Sequence, residues 1–377
     1  MMLLDTEKFE QHRRPRGGRR MHSVHPLVAV KAKLGELNAL SNLRSPQDAR
    51  VRVMVELLDS VNPAGRVFSA LVRAAVRAAR DDRALWLDTA WLAGDSPLAR
   101  QPGGVFEFLD NAIESAAARE HGLFAPDVAY LVPVVSVDAT EDELRRVRLL
   151  LEHKERDIVI RLPHLGRPPH ELLRQIGSIM RSTGTRQGHV HAILDAGFVE
   201  IVRPGDTAGA AETASAVSDL LGPEATTLLA GSIPALRTTY ATTARDRPEV
   251  TFWNEVRHTR ADSVNYGDYG VTHPKPPKSD GNARTPNPYL CYTVPRKTVV
   301  LRRKAEKDDV PAELFADLVE ELVKRVDFAG PAYSWGDHEL TRCRRTGGQT
   351  AGSVSRWVAM ATSHHIEHVA RRTPADL

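Results

Sequence analysis

Ionisable side chains follow many of the short apolar runs in this sequence, at the points where predicted strands end. A charge at the end of an apolar run is expected to be buried, which costs several kcal/mol unless an opposite charge or a hydrogen bond accompanies it. Acids and bases from several strands can satisfy one another around a shared cavity. The residues at these positions are Lys31, Glu56, Asp88, Asp138, Arg161, Asp195 and Glu255.

Such a cavity, with a lysine and an arginine among several carboxylates, suits an anionic ligand or a carboxylate-bound Mg²⁺ ion. Asp88 and Asp195 are the strongest candidates because each interrupts an apolar stretch, Leu-Trp-Leu-Asp-Thr-Ala-Trp-Leu and Ala-Ile-Leu-Asp-Ala-Gly-Phe. The alternative is that a strand commonly ends where its apolar run ends, and that the next residue is polar for no further reason.

A glycine-punctuated segment at residues 263–274, Ser-Val-Asn-Tyr-Gly-Asp-Tyr-Gly-Val-Thr-His-Pro, carries further reactive groups. Glycine at this density is unfavourable in both helices and strands. We therefore predict a structured lid loop that places Asp268 and His273 over the cavity, with Tyr269 as a ligand contact. A tight turn whose tyrosines pack for stability is the alternative.

Two later motifs also carry groups that can do chemistry. Asp337 ends the aromatic turn Tyr-Ser-Trp-Gly-Asp, and a cap for the following helix is its favoured interpretation. His364 and His368 have the i, i+4 spacing of a zinc site, but His365 stands where a His-Glu-x-x-His motif has glutamate. The ligand contacts that we predict from these motifs are Trp335, Asp337, His364 and His365.

The elements that must position these residues alternate between strand-like apolar runs and amphipathic helical stretches. Eight predicted strands, the last at residues 250–256, indicate a parallel (β/α)8 barrel of the TIM type with a C-terminal extension. An open doubly wound α/β sheet is the alternative, and the lack of Gly-x-Gly-x-x-Gly after the first strand disfavours it. We predict a basic disordered tail at 1–24, the barrel core at 25–260, and a lid loop, hairpin and C-terminal helices at 261–377 that complete the barrel.

The composition is that of a soluble globular protein, with 42% hydrophobic and 26% charged residues and no apolar run long enough for a membrane span. Two cysteines, Cys291 and Cys343, are too few for a disulfide framework, so we expect a cytoplasmic protein. A net charge of +3 is too small to indicate nucleic-acid binding by itself. The N-terminal segment nevertheless holds a cluster of arginines, Arg13, Arg14, Arg16, Arg19 and Arg20.

Six sequence elements together resemble the Beta protein family, which is named for a bacteriophage protein and is widespread in bacteria. The resemblance extends from about residue 25 to residue 372. It implies a phage-related or phage-defence context with defence-system proteins as partners, and it brings no established catalytic mechanism. One departure is Ser363, where the family usually has asparagine. The matching elements are residues 30–37, 86–88, 193–195, 266–274, 334–337 and 363–366.

These observations lead to one functional hypothesis, in which a protein of phage–host conflict binds an anionic, phosphate-bearing ligand at the barrel mouth. If it is an enzyme, a metal-assisted hydrolase is the expected activity. Lys31, Lys33 and Arg161 neutralise the anion. Glu56, Asp88 and Asp195 bind Mg²⁺ or act as general base. Asp268 or His273 completes proton transfer, and Glu255 adds a ligand contact.

The alternative hypothesis is a non-enzymatic scaffold. Its basic arm, Arg302, Arg303 and Lys304, would bind nucleic acid or a partner protein of a defence complex together with the N-terminal tail. Binding of nucleic acid through these residues would weaken steeply as the salt concentration rises.

Overall fold

The computed structural model describes residues 25–43, 50–125, 128–163, 165–222, 224–236, 238–259, 264–276, 287–372 and 377. Within these residues eight parallel strands form a closed barrel, which confirms the predicted (β/α)8 architecture and excludes the open sheet. The barrel strands are β1 (Leu27–Lys31), β2 (Arg52–Leu58), β3 (Leu85–Trp91), β4 (Leu131–Ser136), β5 (Ile158–Pro163), β6 (Val190–Phe198), β7 (Thr226–Gly231) and β9 (Asn265–Asp268), while β8 (Thr243–Asp246) lies outside the barrel.

Helices between the strands cover the outside of the barrel and bury an apolar core against it. Val28, Val53 and Val55 pack outward into this core, whereas Ala29 and Met54 belong to a separate apolar cluster inside the barrel. This division follows from the alternation of side chains along a strand. The covering helices are α1 (Leu34–Ser41), α2 (Arg66–Ala79), α3 (Val105–His121), α4 (Glu141–His153), α5 (Pro169–Thr183), α6 (Pro204–Leu221) and α7 (Pro248–Thr259).

The eighth barrel strand is not the segment that the sequence predicted. Residues 250–256 lie in α7, so that prediction was wrong. Val250, Trp253 and Val256 are buried at intervals of three residues, which is helical spacing, and a proline occupies the first helical position. The barrel is instead closed by β9, which pairs with both β1 and β7.

The glycine-punctuated segment predicted as a lid loop therefore begins with a barrel strand. Gly267 lies in β9, and a Cβ atom there would approach Thr227 Cγ2 to 2.9 Å and the Leu228 carbonyl oxygen to 3.1 Å. Glycine is needed here because the neighbouring strand lies too close for a side chain. The segment assigned to the lid thus contributes a wall of the barrel.

The C-terminal extension is a small sheet covered by helices. The predicted hairpin is present as β10 (Tyr289–Val294) and β11 (Lys297–Arg302), and β8 adds to the free side of β11. α8 (Pro311–Val323) and α9 (Trp335–Arg342) enclose a second apolar core with this sheet. α10 (Val354–Arg371) packs against α1 so closely that a Cβ atom on Gly35 would lie 2.6 Å from the Ser355 carbonyl oxygen.

Two predictions concern membrane contact and the tail. None of the helices in the described residues is both long enough and apolar enough to cross a bilayer. The predicted basic tail at 1–24 lies outside the described residues.

Candidate active site at the barrel mouth

The C-terminal ends of five barrel strands carry charged side chains that face the barrel interior. The residues two positions earlier on these strands belong to the apolar cluster inside the barrel, and they are Ala29, Met54, Trp86, Val159 and Ile193. Because side chains alternate along a strand, the charged residues share this inward orientation. Together with Tyr269, which directly follows β9, we call them the mouth cluster: Lys31, Glu56, Asp88, Arg161 and Asp195.

Arg161 is the centre of the mouth cluster. Its Nη1 donates hydrogen bonds to Glu56 Oε1 at 2.9 Å and to Asp88 Oδ2. Nε and Nη2 donate to Asp195 Oδ2 at 3.0 and 2.7 Å, and Nη2 also donates to the Tyr269 hydroxyl at 2.7 Å. The Tyr269 hydroxyl donates in turn to Asp195 Oδ1 at 2.7 Å. One guanidinium thus joins side chains from four different parts of the barrel.

Lys31 is the second cation of the mouth cluster. Its ammonium pairs with Glu56 Oε2, donates to the Pro274 carbonyl oxygen at 2.6 Å, and lies 5.0 Å from the centroid of the Tyr269 ring. Glu56 also accepts a hydrogen bond from the indole nitrogen of Trp91 at 3.0 Å. Glu56 therefore links the two cations, and the segment after β9 covers Lys31.

Burial governs the protonation of the mouth cluster. The exposed fractions of Lys31, Glu56 and Asp88 are 2%, 0% and 2%. Burial raises the pKa of Asp88, and the positive charge of Arg161 offsets this only in part. Burial alone would lower the pKa of Arg161, but the carboxylate of Asp88 and its other anionic neighbours raise that pKa above its ordinary value. The pKa of Tyr269 is raised well above its usual range, first by burial and then by Asp195.

The formal charges of the mouth cluster are three carboxylates and two cations. A carboxyl that is buried in this excess of negative charge is the one that favours a proton, which agrees with the raised pKa of Asp88. Asp88 Oδ1 accepts from the Ala90 backbone N–H at 2.9 Å, and Oδ2 accepts from Arg161. The arrangement thus places a buried carboxyl group of raised pKa beside a guanidinium.

Several predicted residues lie apart from the mouth cluster. Glu255 was expected at a strand end but lies exposed on α7, where it accepts a hydrogen bond from Thr207 Oγ1 at 3.0 Å. Asp138 forms an ion pair with Arg167 at 2.7 Å. The ring of His273 packs against Phe198 with the centroids 5.2 Å apart, and Lys33 is half-buried at the start of α1.

Asp268 faces away from the mouth cluster and toward the extension. Its Oδ2 accepts hydrogen bonds from Arg247 Nη2 at 3.0 Å and the Tyr266 hydroxyl at 2.6 Å. Its Oδ1 lies 2.9 Å from His365 Nε2, and His365 Nδ1 lies 2.8 Å from Thr293 Oγ1. Burial alone would raise the pKa of Asp268, but His365 and Arg247 lower it to about 2. We call these five residues the junction cluster, because they join the barrel to the extension.

His364 and Asp337 form a second buried pair within the extension. His364 Nδ1 lies 2.8 Å from Asp337 Oδ2, and its Nε2 lies 2.7 Å from the Thr293 carbonyl oxygen. Asp337 also accepts from the hydroxyl groups of Tyr292 at 2.8 Å and Ser334 at 2.6 Å. Ser334, and not Asp337, is the N-cap of α9, because its hydroxyl accepts from the Asp337 backbone N–H at 3.0 Å.

The remaining predicted contact of the extension, Trp335, is only partly buried. It packs against the apolar core of the extension, at the first residue of α9. It thus lies on an element of the extension, while the mouth cluster lies on barrel strands.

In the part of the chain that the structure describes, the candidate metal ligands are engaged by other groups. The carboxylates expected to bind Mg²⁺, Glu56, Asp88 and Asp195, surround the Arg161 guanidinium, which takes the position a cation would need. Both ring nitrogens of His364 are already engaged, which leaves no free nitrogen for zinc. In the described residues no group of three or more His, Cys, Asp or Glu side chains is arranged to hold a metal ion.

The sequence reasoning did not identify several partners of these clusters. Trp91, Arg247, Tyr266 and Thr293 each form a hydrogen bond within them. Arg247 lies in a loop between β8 and α7, and no spacing in the sequence distinguishes it from the other arginines. Tyr266 and Trp91 could have been selected as aromatic residues with a polar group in predicted buried segments.

Comparison with known proteins identifies a sequence family and a distant likeness of fold. The Beta protein family matches residues 26–371. No curated protein matches the chain.

Two solved structures show only a weak likeness. A putative fructose-1,6-biphosphate aldolase from Coccidioides immitis is 11% identical, with a TM-score of 0.29, over 66% of this chain and 74% of that one. PhdJ bound to a substrate intermediate is 10% identical, with a TM-score of 0.25, over 65% of this chain and 67% of that one.

Proposed function

This chain belongs to the Beta protein family, and we propose that it binds a small anionic, phosphate-bearing ligand at the mouth of its barrel. The observation that carries the proposal is the mouth cluster itself. Four buried charges and the partly exposed Asp195 lie at the C-terminal strand ends, the end at which (β/α)8 proteins bind their ligands. Burying charges costs more stability than an apolar layer of the same size would, so a functional role is the simplest reason for them.

Asp195 marks the side from which a ligand reaches Arg161. Its side chain is 10% exposed, against 0% for Glu56 and 3% for Asp88. Arg161 directs both Nε and Nη2 to one oxygen of Asp195, Oδ2, and these two donors could instead bind two oxygens of a phosphate or carboxylate group. A ligand anion enters beside Asp195 and shares these donors.

Asp88 makes this site compatible with an anion. Ionised, it would give the cluster a net negative charge that repels a phosphate group, and its raised pKa favours the neutral acid. In the proposed hydrolysis a water molecule attacks the phosphorus atom, its proton passes to Asp195, and the bond to the leaving group breaks as that group takes the proton of Asp88. The proposed chemistry uses the side chains of this chain as acid and base.

Binding is tested with inorganic phosphate and pyrophosphate as probes and thermal unfolding as the readout. A ligand bound only by the native state stabilises it by about 2.7 kcal/mol at 100 times Kd. We expect both anions to raise the Tm of the native protein. Arg161→Gln should abolish the shift, since it removes the donors at the mouth.

Arg156→Gln is the matched control for Arg161→Gln. Arg156 is also a buried arginine in a carboxylate pair, bonded to Asp110 at 2.8 and 3.0 Å, but it precedes β5 at the opposite end of the barrel. This variant should keep the full shift in Tm. Equal shifts in both variants, or no shift with the native protein, would contradict the proposal.

We place this binding activity in phage–host conflict, on the resemblance to a family named for a bacteriophage protein. The test is the plating efficiency of a phage panel on a bacterial host that expresses the chain. The double variant Asp88→Asn/Asp195→Asn should restore plating to the level of the empty host while Asp110→Asn retains the effect. If the folded double variant protects the host as well as the native protein does, any defence activity is independent of the mouth cluster.

The scaffold alternative has weaker support because its basic arm is already engaged. Arg302 lies over the Tyr240 ring at 4.1 Å, Arg303 pairs with Glu321 at 2.5 Å, and Lys304 pairs with a glutamate at 2.9 Å. Phosphates of a nucleic acid would have to compete with these partners.

A further inference from the structure

A groove lies beside the free edge of β8, apart from both clusters described above. One wall is formed by the β6–α6 loop and the other by β8 itself, with the start of α7 below. Its volume is about 670 Å³ and it is open to solvent. We call it the β8 groove, and its main lining residues are Glu200, Ile201, Ser232, Ala244, Asp246 and Glu255.

The edge of β8 that borders the groove has unpaired backbone groups. β8 pairs with β11 only, and within the described residues no strand lies on its other side. The Arg247 backbone N–H donates to the Arg296 carbonyl oxygen at 3.0 Å. Backbone groups of an antiparallel strand point alternately to its two neighbours. The N–H and C=O groups of Ala244 and Asp246 therefore point away from β11, toward the groove.

The lining of the groove is acidic. Glu200, Asp246 and Glu255 supply three carboxylates, against the single guanidinium of Arg245 among its lining residues. Asp246 lies 3.7 Å from Lys297, and its side chain remains 86% exposed. This excess of negative charge disfavours anions and nucleic acid and favours a basic partner.

Two further side chains line the groove beside the acidic residues. Ser232 is 6% exposed and contributes a hydroxyl group to the lining. Ile201 lines the same groove with 68% of its surface exposed. The isoleucine offers an apolar surface and the serine a hydroxyl group, so the groove can contact an occupant that has both apolar and polar groups.

We propose that the β8 groove binds an extended basic segment of a partner protein, which adds to β8 as a fourth strand of the small sheet. The backbone of the segment pairs with the free N–H and C=O groups of Ala244 and Asp246. Its lysine or arginine side chains face Glu200 and Glu255, and its apolar side chains contact Ile201. The exposed charges of Arg245 and Asp246 discourage unselected strands from pairing with this edge while still admitting a complementary one.

The test uses a pool of fluorescein-labelled hexapeptides with Arg or Lys at alternate positions and Leu, Ile, Val or Phe between them. Binding to the full chain is followed by fluorescence anisotropy. A strand that adds to an edge uses only every second amide. We therefore expect N-methylation of one alternate set of amides to weaken the best binder at least tenfold, and N-methylation of the other set to have little effect.

Two variants locate the binding. Ala244→Pro removes an outward N–H without removing a bond to β11, and Glu200→Lys/Glu255→Lys reverses the charge of the groove. Each should weaken binding at least tenfold with the Tm of the protein retained, and Glu152→Lys on the exposed face of α4 should have no effect. Absence of any binder at 1 mM peptide, or equal weakening by both sets of N-methyl groups, would overturn strand addition.

Discussion

At the scale of single residues, the feature that decides the chemistry is one arginine shared by three carboxylates. Arg161 contacts Glu56, Asp88 and Asp195, so none of these acids can change its charge without affecting the others. Burial raises the pKa of Asp88, and the positive charge of Arg161 opposes this only in part. An acid that looks like a metal ligand in the sequence is thus paired with a guanidinium in the fold.

Asp88→Asn should make the free energy of unfolding of the protein less sensitive to rising pH. Because the pKa of Asp88 is raised in the folded state, Asp88 ionises at a lower pH in the unfolded chain than in the fold. As the pH rises above 3.8, the ordinary pKa of aspartate, Asp88 therefore progressively destabilises the folded protein. Asparagine resembles the protonated acid and lacks this effect. The free energy of unfolding of the variant relative to the native protein should increase between pH 4 and pH 7, measured by urea unfolding. A difference that stays constant or decreases would show that Asp88 is ionised in the fold.

At the scale of elements, two close helix contacts hold the extension in place. α10 crosses α1 at Gly35 and α9 at Gly336, and a Cβ atom on Gly336 would lie 2.0 Å from the Met360 carbonyl oxygen. A backbone atom cannot move aside for an added side chain in the way that the end of a flexible side chain can. Both glycines lie in motifs that carry the family resemblance, and their role is packing, since neither contacts the mouth cluster.

Gly336→Ala should destabilise the protein by about 1–3 kcal/mol or more, as expected for overpacking against a backbone atom. Gly209→Ala in α6 is the control, because a Cβ atom there meets nothing within 4 Å. Alanine is a better helix former than glycine, so the control should gain about 1 kcal/mol or less. Chemical denaturation of both variants measures the difference. Equal effects of the two substitutions would mean that α9 and α10 can separate at little cost.

At the scale of the whole molecule, the junction cluster couples the barrel to the extension. Asp268 on the closing strand contacts Arg247 before α7 and His365 on α10, and His365 contacts Thr293 on β10. A local opening of the extension would leave these charges without partners inside the protein. We therefore expect the two parts to unfold together.

Asp268→Asn should destabilise the protein by about 1.5–3 kcal/mol at pH 7, because Arg247 and His365 each lose a hydrogen bond to a carboxylate, while Glu249 remains paired with Arg247. The pKa of Asp268 is lowered to about 2 in the fold, so its stabilising effect is present above pH 3.8, the ordinary pKa of aspartate, and is lost as the pH falls toward 2. The difference in free energy of unfolding between the variant and the native protein should therefore become smaller over that range. Hydrogen exchange should accelerate in β5 and α8 alike, and acceleration in α8 alone would show that the extension unfolds separately.

The sequence by itself determined the barrel and most of the mouth cluster. Apolar runs alternating with amphipathic stretches specify parallel strands with covering helices, and parallel strands bring their C-terminal ends together. Lys31, Glu56, Asp88, Arg161 and Asp195 could thus be selected as strand-end charges, before any contact was known.

Only the tertiary structure decided which segment closes the barrel and which charges are partners. Residues 250–256 have the apolar content of a strand, whereas β9 reads Asn-Tyr-Gly-Asp. The choice between them depends on pairing with β1 and β7, far away in the chain. Whether a strand-end carboxylate faces a metal, a ligand or Arg161 likewise depends on side chains up to 105 residues away. The local spacing of apolar residues predicts whether a segment is a helix or a strand, whereas the pairing of charges depends on the assembled fold.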